Sequence, residues 1–218
     1  MEYSKKPLNT VKRIPKRGNY NKDEIFDILD SNFIGYMGYV YKGYSITIPM
    51  AYGRNGNEIY IHGSSKNRMI NSIQECEKVS MTVTEIKALV LAKSVFHHSM
   101  NYRSAVIFGK ASLVESENEK IDVLKIITEN ILKGRWKEAR LPNKKELKAT
   151  AVLKIQIESA SAKIREGEPI DEKEDLNSGI WSGLLTINSD FGKVISDSNS
   201  NGLKIPDSLE KFLLRNEY

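Results

Sequence analysis

Cysteine is almost absent from this chain, with Cys76 alone among 218 residues. A single thiol can form no internal disulfide and supplies no cysteine-based zinc pattern, so a reducing compartment, the cytoplasm, is the expected setting. Its helical spacing from Met69 and Ile73 makes Cys76 a core residue in preference to a nucleophile. Histidine is scarce too. His62, His97 and His98 are the only three, and they display no compact constellation, so no metal site is expected. No apolar run approaches the roughly 18 residues that span a bilayer. The cationic start, residues 1–20, lacks the apolar segment of an export signal, and no membrane contact is expected. No Pro/Gly/Ser-rich linker divides the chain. The expected organisation is a basic arm (1–20), one domain (21–187), and a polar loop with a last helix (188–218) packed on that domain.

What is present is enough apolar material for a full core, 40% of residues, and a net charge of +5 from 33 basic and 28 acidic residues. Part of the positive charge lies in Lys5, Lys6, Lys12, Arg13, Lys16 and Arg17, a tail able to touch nucleic acid. The remaining charges are mixed, and no aromatic-basic repeat forms a single-strand platform. Nucleic-acid binding is therefore the lesser reading.

The patterning predicts an α+β chain dominated by antiparallel strands. Asn21 with Glu24 reads as a capping box, followed by a helix with Ile25, Phe26, Ile28 and Leu29 on one side. Strands are expected near 33–41, 44–53, 58–62, 79–84, 86–96, 102–114 and 151–164. A helix at 118–132 carries Ile121, Leu124, Ile127 and Ile131 at helical spacing. A short helix is expected at 143–149, and Pro206-Asp207-Ser208 starts a last amphipathic one. Residues 188–204, rich in Asp, Ser, Asn and Gly, read as a loose surface loop.

Residues 45–83 are the most informative stretch. Tyr44 to Tyr52 is rich in β-branched and aromatic residues, Asn55-Gly56-Asn57 is a tight-turn signal, and Glu58 to His62 alternates as a returning strand. Gly63, Ser64 and Ser65 then open a turn. Lys66, Asn67 and Arg68 follow at the start of a helix whose apolar side is Met69, Ile70, Ile73 and Cys76. Helix N-termini offer unpaired N–H groups and positive potential, so hydroxyls, an amide and two cations there suit a phosphate. The plainer reading is a serine N-cap with solvated cations.

The order of elements around this turn resembles the pyridoxamine 5′-phosphate oxidase-like flavin-binding split-barrel family, nearest the branch of nitroimidazole-resistance and flavin-nucleotide-binding proteins. The matching segments are Ile48-Pro49-Met50-Ala51-Tyr52, Ile59-Tyr60-Ile61-His62-Gly63-Ser64 with Arg68, and Tyr102-Arg103-Ser104-Ala105-Val106 with Gly109-Lys110-Ala111. Downstream come Gly134-Arg135-Trp136, Arg140-Leu141-Pro142, Glu146-Leu147 with Thr150, Ser161-Ala162-Lys163-Ile164-Arg165 with Gly167 and Pro169, and Trp181-Ser182-Gly183. The resemblance spans nearly the whole chain. It implies a split β-barrel with peripheral helices, a homodimer with a flavin at its interface, and FMN as cofactor.

What the resemblance implies for residues is specific. Gly63, Ser64, Ser65, Lys66, Asn67 and Arg68 would hold the FMN phosphate, and Thr47, Ile48, Pro49 and Met50 would run past the ring. Proline in a strand is best tolerated at an edge, which suits a ligand in place of a sheet partner. His62 would lie beside the flavin or merely fix the turn. His98, Arg103 and Lys163 are further cofactor contacts, with Arg165 as an alternative source of positive charge near the ring. Tyr102 and Ser104 either face the site or alternate in a strand, and Trp136 and Trp181 either pack or line the substrate space. His62 and Trp181 are the catalytic candidates. The C-terminal acidic-aromatic pair with tryptophan and the later Arg-x-His-x-Arg of the true pyridoxamine phosphate oxidases are missing, so that activity is not expected.

The function expected is an FMN-dependent oxidoreductase that reduces a small-molecule electrophile, nitroaromatic or quinone-like, with a nicotinamide, NAD(P)H, as a plausible donor. The alternatives are a flavin store or sensor without turnover and, behind it, a basic nucleic-acid-binding barrel.

Overall fold

The computed structural model describes residues 1–76, 78–200 and 202–215, apart from the side chains of Cys76 and Arg215. The expectation that the Cys76 thiol belongs to the core therefore falls outside the described set.

Among the described residues, eight antiparallel strands and five α-helices follow in the order β1 (Gly18–Asn19), α1 (Lys22–Asp30), β2 (Ile34–Tyr41), β3 (Tyr44–Asn55), β4 (Glu58–Ser64), α2 (Arg68–Cys76) and β5 (Lys78–Leu91). Then come β6 (Ser99–Leu113), α3 (Glu117–Ile131), α4 (Lys144–Ala149), β7 (Thr150–Arg165), β8 (Gly183–Thr186) and α5 (Asp207–Arg215). The strands pair in the sequence β7-β4-β3-β2-β5-β6, and β6 pairs back with β7, closing a ring; β1 and β8 attach to β7 and β5. The fold is the expected split β-barrel with peripheral helices.

Local chemistry explains the tight connections. Lys42 and Gly43 both have positive φ, 48° and 81°, as a two-residue turn twisted to match its strands requires. Gly56, at φ 57°, opens the β3–β4 turn. Asn21 caps α1 by accepting from the N–H groups of Asp23 and Glu24, and Asn143 with Glu146 forms a reciprocal capping box on α4. Inward-facing Met37, Ile59, Ile61, Met81, Val83, Ile107, Leu153 and Ile155 fill the barrel. Helix α1 closes one end with Ile25, Ile28 and Leu29, and α2 closes the other with Met69, Ile70 and Ile73.

Three features differ from the sequence reading. The strands expected at 79–84 and 86–96 form one strand, β5, with an irregular register between Ile86 and Ala88, followed by a turn at Val95–His97. The pairing with β6 overrides the polar break at Glu85. Strands β1 and β8 were not expected, because each is too short to show periodicity and exists only by pairing with a longer neighbour. The start of the chain lies against the barrel: Tyr3 joins the core, and buried Asn9 donates Nδ2 to the carbonyls of Ser4 and Ala160. Residues 188–197 are irregular and exposed.

Candidate functional site

The barrel opens between β3 and β4. Only Tyr52–Asn55 of β3 pairs with Glu58–Ile61 of β4; earlier β3 residues pair with β2 alone, and the end of β4 pairs with β7. One edge of β3 is thereby left without a strand partner among the described residues. Counting from the closing pair Tyr41–Tyr44, alternation places Pro49 opposite Tyr36 in a pair that exchanges no backbone bonds. The N–H that proline lacks would have pointed into the split, so it costs no ladder bond, while Thr47 turns its backbone N–H and C=O the same way.

The same alternation sorts the four ring-contact candidates. Ile48 and Met50 pack against the core, whereas Thr47 and Pro49 are exposed on the outer face beside Gly38 and Tyr36. Across the split stand His62, Gly63 and Ser64 at the end of β4. His62 is half-buried, and its Nδ1 is fully enclosed with no hydrogen-bond partner among the described residues. Burial holds its pKa below the ordinary value, so the ring is neutral at physiological pH.

The turn after His62 carries the anion-binding candidates, all exposed: Ser64, Ser65, Lys66, Asn67 and Arg68. Ser64 Oγ accepts from the N–H of Lys66 at 3.3 Å, and Asn67 Oδ1 accepts from that of Met69 at 2.8 Å. Asn67, in place of a serine, thus caps α2. Its Oδ1 is committed, while its NH₂ remains a donor. The Arg68 guanidinium lies over the Tyr41 ring, 5.0 Å from its centroid, and neither Lys66 nor Arg68 has a carboxylate partner among the described residues. Alternation along β2 carried the missed signal for Tyr41: it shares the inner parity of Met37 and Tyr39 and so ends beneath α2.

The other candidates lie elsewhere. Arg103 is bound to Glu85 through Nε at 2.9 Å and NH2 at 2.7 Å, and to Asp27 of α1 at 2.5 Å. Burial pushes the Glu85 carboxyl up, but hydrogen bonds from Arg103 and Ser31 and the charges of Arg103 and Lys87 outweigh it and leave the carboxyl below its ordinary value. Arg103 is thus charge-compensated beneath α1. Lys163, opposite Ser104 on the outer face, has no ion pair among the described residues. Buried Arg165 donates to Asn101 Oδ1 and the carbonyls of Gly167 and Glu168. His97 faces Glu172 at 3.4 Å, and His98 Nδ1 lies 3.0 Å from the Ser94 carbonyl. Trp181 stands exposed over Gly183, just before β8. Trp136 lies in the turn after α3, where its backbone N–H donates to Glu129 Oε1 at 3.1 Å.

The split therefore gathers Thr47, Pro49, His62 and the Ser64–Arg68 turn, whereas Lys163 stands at the other end of β7 from Val152, the residue paired with His62. Arg103 belongs to a separate ion network, His98 lies in the β5–β6 connection and Trp181 just before β8. Among the described residues no group of three or more His, Cys, Asp or Glu is placed to hold a metal, and no helix is long and apolar enough to cross a membrane.

A closed antiparallel ring with one unzipped seam defines a split-barrel protein. Residues 21–164 match the family described as Pyridoxamine 5′-phosphate oxidase, and the chain belongs to that family. Its structure is similar to that of the flavocytochrome Anf3 from Azotobacter vinelandii, at 28% identity, covering 94% of this chain and 96% of that one, with a TM-score of 0.88. It is also similar to the FAD and heme binding protein from Mycobacterium smegmatis, at 29% identity over 89% and 96% of the two chains, TM-score 0.85. A candidate 5-nitroimidazole antibiotic resistance protein from Bacteroides thetaiotaomicron shares the fold at 21% identity over 67% of this chain and 86% of that chain, TM-score 0.59. No curated protein matches the sequence.

Proposed function

We propose that this chain is a cytoplasmic flavin-binding redox protein that holds its cofactor along the split, with the phosphate on the Ser64–Arg68 turn and the ring beside Thr47, Pro49 and His62. The observation that carries this reading is the unzipped seam itself: a β3 edge without a strand partner among the described residues faces a helix N-terminus bearing two cations, neither with a carboxylate partner among those residues. Two structural relatives that cover most of this chain, a flavocytochrome and an FAD and heme binding protein, support the cofactor class. The residues fit a flavin. Backbone donors and acceptors on β3 match the polar edge of the ring, and Lys66 and Arg68 match a phosphate. FMN is the flavin proposed, because one helix terminus provides for one phosphate.

A bound flavin supplies the electron transfer, and the chain binds, orients and excludes water. Neutral His62 offers a ring nitrogen beside the seam. The reaction proposed is reduction of a small electrophile such as a nitroaromatic or quinone, with NAD(P)H as donor, in a homodimer. A second reading adds a haem. A neutral His62 imidazole, whose Nδ1 has no hydrogen-bond partner among the described residues, would supply the nitrogen to hold it, and two structural relatives are described as a flavocytochrome and an FAD and heme binding protein.

Titration of the cofactor-free chain with FMN, FAD, riboflavin and haemin tests both readings. FMN is expected to bind at least tenfold more tightly than riboflavin, and equal affinities would remove the phosphate site. Haemin uptake abolished by His62→Ala would establish the second reading, and no haemin uptake would dismiss it.

A further inference from the structure

Helix α3 packs one side on the barrel and turns the other toward the end of the chain. Val123 and Ile127 are buried, and Ile126 and Ile127 lie over Gly53 of β3, where a Cβ would touch both. Lys125 stands two residues from Ile127, about 200° around the helix, and Glu129 follows it one turn on along the same side. After α3 the chain bends back at Gly134, whose φ of 96° suits glycine and where a Cβ would stand 3.3 Å from Ser208 Cβ. That close approach brings α5 against the turn. Ser208 fixes it there, donating its N–H to Glu138 Oε1 at 2.9 Å and its hydroxyl to Oε2.

Between α3, the turn and α5 lies a cavity of about 340 Å³ whose lining includes Lys125, Lys133, Lys137, Lys211, Glu129 and Phe212. Its charge is almost of one sign. None of the four lysines has an ion-pair partner among the described residues. The one carboxylate is engaged elsewhere: Glu129 Oε2 accepts from the backbone N–H of Gly134 at 2.8 Å and Oε1 from that of Trp136 at 3.1 Å. Both oxygens thus hold in place the turn that carries Lys133 and Lys137. Like charges converging on a concave surface focus a positive potential, which an anion relieves.

The lining also selects among anions. It offers no arginine fork, the group that recognises planar carboxylates through two parallel bonds, whereas lysine ammonium groups act as point charges that suit phosphate. Half-buried Phe212, met edge-on by Phe191 at 4.5 Å between ring centroids, adds an apolar wall. The volume falls within the about 300–1,000 Å³ of small-molecule sites.

We propose that the cavity between α3 and α5 binds a small organic polyphosphate of the nucleoside diphosphate class, with the phosphates among the four lysines and the base against Phe212. The site is built on different elements from the Ser64–Arg68 turn and stands whether or not the split holds a flavin.

The test is calorimetric titration of the purified chain with ADP at low ionic strength, with inorganic pyrophosphate in parallel. ADP is expected to bind at one site per chain, several-fold more tightly than pyrophosphate. Lys133→Gln/Lys211→Gln, which changes only exposed positions, should keep its circular dichroism and weaken ADP binding at least tenfold. Arg68→Ala, and Lys145→Gln/Lys148→Gln on exposed positions of α4, should bind ADP as the parent does. No ADP binding to the parent, or an equal loss in the α4 pair, would overturn the proposal. A loss confined to Arg68→Ala would overturn it too, by moving the nucleotide to the flavin turn. Pyrophosphate binding as tight as that of ADP would refute the contact between the base and Phe212.

Discussion

Removing Arg68 separates its proposed role from a structural one. Its guanidinium is exposed and touches the Tyr41 ring at 5.0 Å, so Arg68→Ala forfeits one solvent-accessible cation–π contact, about 0.5–1 kcal/mol. If the same group binds the flavin phosphate, the variant also loses a charge-assisted interaction of about 1.5–3 kcal/mol. That converts to about a tenfold to hundredfold rise in the FMN dissociation constant. Lys66→Ala removes a point charge without fork geometry and should cost less. The assay is quenching of flavin fluorescence, titrated in parallel with thermal melts of the cofactor-free chain. Riboflavin is the internal control, since it has no phosphate and the Arg68→Ala penalty should vanish for it. Unchanged FMN affinity in both variants, or an equal penalty for riboflavin, would refute the assignment.

Gly53→Ala should destabilise the chain by about 1–3 kcal/mol, because a Cβ there would stand 2.8 Å from Ile126 Cγ2 and 2.9 Å from the Ile127 nitrogen, forcing α3 off β3; urea unfolding measures it. Ile61→Ala, which empties a fully buried core position, should cost about 2–5 kcal/mol in the same experiment. The burial that lowers the His62 pKa means the unfolded chain takes up that proton first. Stability should therefore fall as pH drops below about 6.5 and level off once the folded ring protonates. Melts of the parent against His62→Gln across pH 4–8 check this, and an identical slope in both would contradict it.

Much of the barrel was legible because its signals are local. Asn55-Gly56-Asn57 announced a turn, alternation marked β3 and β4, and Asn21 with Glu24 marked the start of α1. What escaped depends on distant partners. Glu85 reads as a break in sequence, yet it continues β5 because Arg103 directly opposite neutralises it. Tyr3 and Asn9 read as part of a basic arm; Tyr3 is buried where its hydroxyl meets Asn57 of the β3–β4 turn, and Asn9 where it donates to Ala160 of β7. At the site, the resemblance pointed to Thr47 through Met50 as a block, and only the pairing with β2 shows which two face outward. Arg103 carried no local sign that Asp27 and Glu85 would hold it.

The most direct test of the central claim is the absorption spectrum of the chain purified without added cofactor, followed by denaturation and chromatography of what is released. The account predicts the two flavin bands, and FMN in the released fraction. A colourless protein that also takes up no flavin when FMN or FAD is supplied would contradict it.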